Sequence, residues 1–447
     1  MSGPAKLITG DIRGHLVSQT LPNVVGVAAL MSVALLNAYY VGRLGSAELA
    51  AVAFIFPVVI AISSLGVGVM VGINSVIARS LGAGDVEQAA RRANFGAVFA
   101  VVTGVVLGLT LFVLIDPLFR LMQASAELRP LIRQFMVPYS LGLPLLLLQM
   151  ALGGVLRGQG EAKMNSIISL AYAGSNWVTN PVLVLGVAGF GGYGVAGAAY
   201  AMIAGYALAC VMALGFIART SLPINPALIR HCRVGESARA IMRVAGPAAL
   251  SNAINPIGLA VLTALLARHG DAAVAGFGAA GRLQSFATVP LLALSGSIGA
   301  IVGQNWGANQ PDRARLALRE AWVFCVGYGL VTGVLLFLFG DWFAGLFTRD
   351  PVVIAQFSDY LAISAWGYAG FGLLIVANGA LNAVDRSSYA LAQSLARVFL
   401  LMLPVAWFLA PALGERAIYG AELVANLGGG VLAVLVAWRL LARPAHK

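Results

Sequence analysis

Residues 22–45, PNVVGVAALMSVALLNAYYVGRLG, are apolar from Val24 to Leu36, then place Asn37, Tyr39 and Tyr40 just before a Gly-Arg-Leu-Gly exit. A degraded copy stands 225 residues further on, at 247–270: PAALSNAINPIGLAVLTALLARHG. Proline falls over proline and glycine over glycine. The same offset pairs Ala50 with Ala275, Gly82 with Gly307, Asp116 with Asp341, Gly154 with Gly379 and Leu156 with Leu381, with no visible gap. The chain therefore reads as two versions of one module, and a repeat of this kind in an apolar sequence marks transporters.

Sixty per cent hydrophobic residues, 10% charged residues and a mean hydropathy of +0.89 exclude an ordinary soluble globule. A helix needs about 20 apolar residues to cross a hydrocarbon core roughly 30 Å thick. Twelve such runs are expected, near 16–41, 48–77, 93–115, 130–156, 164–187, 194–219, 241–268, 272–302, 318–340, 352–382, 388–412 and 418–442. The expected fold is an all-α polytopic membrane protein of twelve transmembrane helices in two pseudo-symmetric six-helix lobes. The lobes cover 1–219 and 241–447, joined by a cytoplasmic linker at 220–240. Six spans per copy is an even number, so the copies are parallel repeats about an axis along the membrane normal.

Of the 28 lysines and arginines, 19 fall on the side holding the N-terminus and 7 on the opposite side. The positive-inside rule then places both termini in the cytoplasm of a multi-pass protein of the plasma (inner) membrane. The net charge of +11 belongs to loops facing an anionic leaflet and implies no nucleic acid. Three scattered cysteines, Cys210, Cys232 and Cys325, make neither a disulfide framework nor a metal cage. No cleavable leader is expected before the first span.

Local signals punctuate the spans. In LGAGDVEQAARR, Asp85 is placed to cap the third helix, with Gln88 three residues on completing a capping box. Pro311 suits the first turn of the corresponding helix in the second half. Gly68-Val-Met-Val-Gly72 has the small-xxx-small spacing that lets helix backbones approach, and Gly189 to Gly194 reads as a tight external turn. Pro22 and Pro247, at matching positions in spans 1 and 7, are the expected hinges.

The buried polar residues carry the chemistry. Of the seventeen acids, only Asp359 is expected well inside a span, about 10 Å below the outer surface at helical rise. Glu422 counts among the loop and span-end acids of the outer side. Arg282 and Arg397 are expected roughly 15 Å deep. A charge at that depth faces the bundle interior with a partner, and Asp359 is expected to reach one of the two. Tyr172, Asn176 and Asn180, spaced i, i+4, i+8, form one stripe on span 5, with Asn37 at similar depth on span 1. That stripe is either a binding surface for a neutral ligand or a set of interhelical hydrogen bonds worth about 0.6–2 kcal/mol each. Trp342, Trp407, Trp438, Tyr193 and Tyr419 read as interface anchors. No histidine, cysteine, serine–base or carboxylate pair stands at catalytic spacing, so an enzyme is not expected.

The run from Pro22 through Asn37-Ala-Tyr-Tyr-Val-Gly-Arg-Leu-Gly-Ser-Ala-Glu-Leu-Ala-Ala51 resembles the first-span signature of the multidrug and toxic compound extrusion (MATE) transporters. Arg79 to Asp85, Arg282-Leu-Gln-Ser285, Val302 to Ala308 and Asn176-Trp-Val-Thr-Asn-Pro181 agree with it in order and spacing. The resemblance covers nearly the whole chain. It implies an outward-facing V of two lobes that exports small organic molecules in exchange for protons or sodium. It also implies an N-lobe cation site at Asn37 and Asn180, where relatives carry Asp, together with Tyr40. Gln284 stands where relatives often have Glu, and Asn255 lies near a span-7 position that is Glu in some. The usual coupling carboxylates of the first lobe are thus missing or moved, since an amide takes up no proton near neutral pH.

The expected function is multidrug or small-molecule efflux by alternating access, as a monomer. Its cargo is a small organic molecule, neutral, zwitterionic or anionic. Membrane lipid is the other expected partner, and no cofactor is expected beyond H⁺ or Na⁺. A lipid-linked precursor flippase of the related superfamily, or a non-transporting receptor or scaffold derived from a transporter, are the alternatives.

Overall fold

The computed structural model describes residues 5–187, 190–222, 224 and 234–442. Their sequence folds almost wholly into helices. The first half contains α1 (Ile12–Gly42), α2 (Ser46–Gly82), α3 (Val86–Leu121), α4 (Leu128–Gly158), α5 (Ala162–Leu185) and α6 (Val195–Ile217). A hairpin of β1 (Gly186–Val187) and β2 (Phe190–Gly191), antiparallel with Gly186 opposite Gly191, separates α5 from α6. In the second half α7 (Val234–Leu266), α10 (Pro311–Leu338) and α16 (Glu415–Leu441) are single helices. The remaining spans are broken. α8 (Asp271–Ala287) and α9 (Val289–Gly307) meet at a 43° bend, and α12 (Pro351–Ser364) joins α13 (Tyr368–Ala383) through a 3₁₀ turn. α14 (Ser387–Leu395) runs through a π-helical stretch at Ala396–Met402 into α15 (Leu403–Leu413). The short α11 (Gly340–Gly345) follows α10.

These make twelve spans. Among the described residues, ten helices are long and apolar enough to cross a bilayer by themselves, and the bent α8–α9 pair makes an eleventh. The twelfth is α5, whose 24 residues include Asn165, Ser166, Ser169, Asn176 and Asn180. Outward faces are apolar, as lipid requires: Val102, Val106, Leu109 and Val113 on α3, and Val331, Phe337 and Leu338 on α10, are all exposed.

The repeat is written into the backbone as well as the side chains. Left-handed or otherwise positive φ occurs at Gly45 and Gly270, at Gly84 and Asn309, and at Gly160 and Asp385, each pair 225 apart. These are turns that glycine accepts without cost and that Asn and Asp tolerate best among other residues. The next pair is Gly194 and Gly414, which precede α6 and α16 with nearly the same geometry, φ 60 and ψ −134 against φ 60 and ψ −141. They are 220 apart, so the register seen in the sequence as gapless slips by five residues. The cause is the hairpin between α5 and α6, for which α15 and α16 have only a short turn.

Helix starts follow their local chemistry. Asp85 caps α3, its carboxylate accepting from the Gln88 backbone N–H at 2.8 Å. The capping box is only half formed, because the Gln88 amide oxygen instead accepts from Ser80 Oγ at 3.1 Å. Pro311 opens α10. α1 runs unbroken through Pro22, and α7 through Pro247.

The described chain divides into two compact units, 5–6 with 21–249 and 7–20 with 250–442. The first turns of α7 thus belong to the first unit. A Cβ on Gly68 would collide with the Ala245 carbonyl oxygen, and one on Gly72 would sit 2.8 Å from the Ile241 carbonyl oxygen. The small-xxx-small pair therefore does pack helix on helix. The core of this unit includes Ile55, Ile73, Ile77 and Leu147. In the second unit Leu7, Ile12 and Leu16 join a core with Ile298, Leu318, Leu361 and Ile418. Part of the linker, at 223 and 225–233, lies outside the described residues, as do Cys232 and Gly189.

Candidate functional site: a cavity in each half

Each unit holds a cavity, and these two occupy equivalent places in the repeat. The first, about 400 Å³, is lined among others by Leu30, Val59, Tyr172 and Met202. The second, about 190 Å³, is lined at the corresponding positions by Asn255, Gln284, Arg397 and Glu422. One architecture thus carries a mostly apolar lining in the first half, with Arg157 its one charge, and both a guanidinium and a carboxylate in the second.

The second cavity is built around Arg397 and Glu422, 3% and 1% exposed. Arg397 lies at the start of the π-helical stretch, a distortion common at functional sites. Its Nε donates to Asn426 Oδ1 at 2.9 Å and its Nη1 to Asn255 Oδ1 at 2.8 Å, and the guanidinium lies 5.2 Å from the Phe371 ring centroid. Gly429 makes room for it, since a Cβ there would lie 3.1 Å from Arg397 Cβ. Glu422 accepts at Oε1 from Gln284 Nε2, 2.6 Å, and at Oε2 from the Tyr360 hydroxyl, 2.7 Å. Tyr360 O also lies 3.1 Å from Gln284 Oε1.

These three distances close a ring that serves both protonation states. With Glu422 ionised, Tyr360 and Gln284 each donate to it. With Glu422 protonated, its O–H donates to Tyr360, Tyr360 donates to Gln284 Oε1, and Gln284 Nε2 still donates to Glu422. Both carboxylate oxygens already accept hydrogen bonds, and a fixed guanidinium faces the same space.

In the first unit Asn180 Nδ2 donates to Asn37 Oδ1 in a short hydrogen bond. Asn176 Nδ2 bonds back to the Tyr172 carbonyl at 2.9 Å, and Tyr172 stacks on Tyr206 with centroids 5.2 Å apart. Asn37 and Tyr172 line the cavity; Asn176 and Asn180, both 0% exposed, lie behind its wall. Tyr40 is half-buried against Tyr39, outside the lining.

Four expectations need correction. Asp359 is no deep partner for a mid-span arginine: its carboxylate pairs with Arg416 at 3.2 Å, and both side chains are substantially exposed. Arg416 is the second residue of α16, so Asp359 lies level with a helix end. Arg282 is exposed on α8 rather than turned inward, and its neighbours Gly281, Gln284 and Ser285 line the cavity in its stead. Glu422 is no span-end acid but a buried one, because α16 starts at Glu415 and not at 418. Tyr419, expected at the interface, is fully buried beside it and donates to Gln356 Oε1 at 2.8 Å. The depth rule applied to Asp359 finds Glu422 once Gly414 is recognised as the helix start.

Twelve spans in two like-built halves, each holding a cavity, are the architecture of a membrane transporter. The MatE family model matches residues 22–182 and again 247–408, and the chain belongs to that family. It is 31% identical over 434 residues to the FAD transporter of Shewanella oneidensis, across 97% of this chain and 96% of that one. It is 29% identical over 415 residues to the probable multidrug resistance protein NorM of Deinococcus radiodurans, covering 88% and 87%. The crystal structure of a variant of the Vibrio cholerae MATE transporter VcmN superposes with a TM-score of 0.92 at 26% identity, covering 96% and 97%.

Proposed function

We propose that this transporter exports small organic solutes in exchange for protons, with the first-unit cavity receiving cargo and Glu422 receiving the proton. The observation that carries this reading is the Glu422–Tyr360–Gln284 ring, which stays hydrogen-bonded whether or not the carboxyl is protonated. Intramembrane carboxylates are the usual proton relays, and the amides Asn37 and Asn180 cannot serve as one. The larger cavity falls in the size range of ligand pockets, whereas the smaller suits a proton site. Cargo and proton then influence one another through the state of the whole carrier in an alternating-access cycle. The name of the Shewanella relative supports a flavin dinucleotide as a cargo to try. The protein works as a monomer in the plasma (inner) membrane, with both termini in the cytoplasm, in keeping with its basic loops.

The test uses purified protein in sealed vesicles with an imposed pH gradient, FAD and a lipophilic organic cation serving as cargoes. Wild type accumulates at least one of them against its gradient when protons run the other way. Glu422→Gln equilibrates that cargo but does not accumulate it. Accumulation by Glu422→Gln, or wild-type movement indifferent to pH, overturns the proposal.

A further inference from the structure

The first-unit cavity has a feature that its apolar lining does not explain. Along α4, Gln149, Gly153 and Arg157 are spaced i, i+4, i+8, and all three line the cavity. Asn165 on α5 lines it beside them, and a Cβ on Gly153 would lie 3.0 Å from Asn165 Oδ1. Asn165 is 6% exposed. Among the described residues, the side chains of Gln149, Arg157 and Asn165 have no hydrogen-bond or ion-pair partner, and the buried Arg157 Nε is unsatisfied. The cavity lining contains no carboxylate. Glu161, the acid nearest Arg157 in sequence, pairs with Lys6.

Helix packing common to both halves does not account for the group. At the 225-residue offset, Gln149 becomes Leu374, Arg157 becomes Asn382 and Asn165 becomes Ala390. Only the first half keeps a guanidinium and two amides around a bare glycine. A half-buried guanidinium with its Nε shut away from solvent gains from a ligand that supplies the missing counter-charge, and it matches phosphate oxygens in a bidentate fork.

We infer that Arg157, Asn165 and Gln149 form an anion subsite of the first-unit cavity, which takes a phosphate group of the cargo or of a lipid headgroup. The subsite rests on the reading that this cavity receives cargo, but not on proton coupling through Glu422. It selects phosphorylated over unphosphorylated molecules that share the same aromatic body.

The probes are flavin mononucleotide and riboflavin, which differ only by the phosphate, titrated onto the full-length protein in phosphatidylcholine nanodiscs. Wild type binds the mononucleotide at least about tenfold more tightly, the scale of a charged hydrogen-bond pair. Arg157→Gln removes that preference and leaves riboflavin affinity unchanged, while Arg157→Lys retains part of it. Should Arg157→Gln fail to fold, Asn165→Leu is expected to reduce the preference selectively. Phosphatidylglycerol that competes with the mononucleotide on wild type but not on Arg157→Gln identifies the headgroup as a second occupant of the same subsite. Glu422→Gln shifts the affinities for both flavins together and keeps the preference for the mononucleotide, so a failure of coupling is distinguishable from a failure of the subsite. Equal wild-type affinity for the two flavins, no mononucleotide binding at millimolar concentration, or a parallel loss of both in Arg157→Gln overturns the inference.

Discussion

Arg397 is tolerated at mid-span because amide oxygens meet it first. Asn255 and Asn426 satisfy its N–H groups, and Glu422 balances its charge from across the same small cavity without a direct ion pair. Removing one member of such a buried pair leaves the other uncompensated, typically at about 3–5 kcal/mol. Arg397→Met is therefore expected to lower stability by roughly that amount, read as a lowered denaturation midpoint in detergent, with Glu422→Gln/Arg397→Met recovering part of the loss. An Arg397→Met protein as stable as wild type would show that the two charges are independent. At this scale the sequence was half legible. Depth along the span identifies Arg397, because a charge amid apolar residues stands out, and the family resemblance points to Asn255 and Gln284. Glu422 was hidden by a helix start set three residues late. Arg157 was hidden because a basic residue at a span end passes for an ordinary loop cation.

At the scale of elements, helix limits depend on capping and close approach more than on hydropathy. Apolar runs in the sequence locate all twelve spans, yet among the described spans α5 is less apolar than the rest, because it trades hydropathy for the polar stripe that carries Asn165, Asn176 and Asn180. The breaks at Thr288 and at Ala396–Met402 left no distinct trace in composition, since Pro290 and Pro404 resemble the prolines that α1 and α7 pass straight through. The Gly68–Gly72 contact was legible because its spacing has one physical use in a membrane helix. Gly72→Leu should push α2 off the Ile241 carbonyl oxygen and cost on the order of 1–3 kcal/mol, the usual range for overpacking. The shift in thermal midpoint checks it. An unchanged midpoint would mean that α7 yields without cost.

Across the whole molecule, one repeat accounts for both cavities and for their difference. The fold was readable from the 225-residue offset, which recurs in the positive-φ turns. The five-residue slip at the β1–β2 hairpin concealed that Met202 and Glu422 are counterparts. With that alignment, the buried carboxylate Glu422 stands in the second half, where the proposal puts coupling, while in the first half Asn37 and Asn180 bond to each other. The most direct measurement is infrared difference spectroscopy of the protein in lipid while the pH is stepped, following the carbonyl stretch of a protonated carboxylic acid. A buried carboxylic-acid band that rises as pH falls in wild type, and is absent from Glu422→Gln while Asp359→Asn retains it, is the predicted result. A band that persists unchanged in Glu422→Gln would place the proton elsewhere and contradict the account.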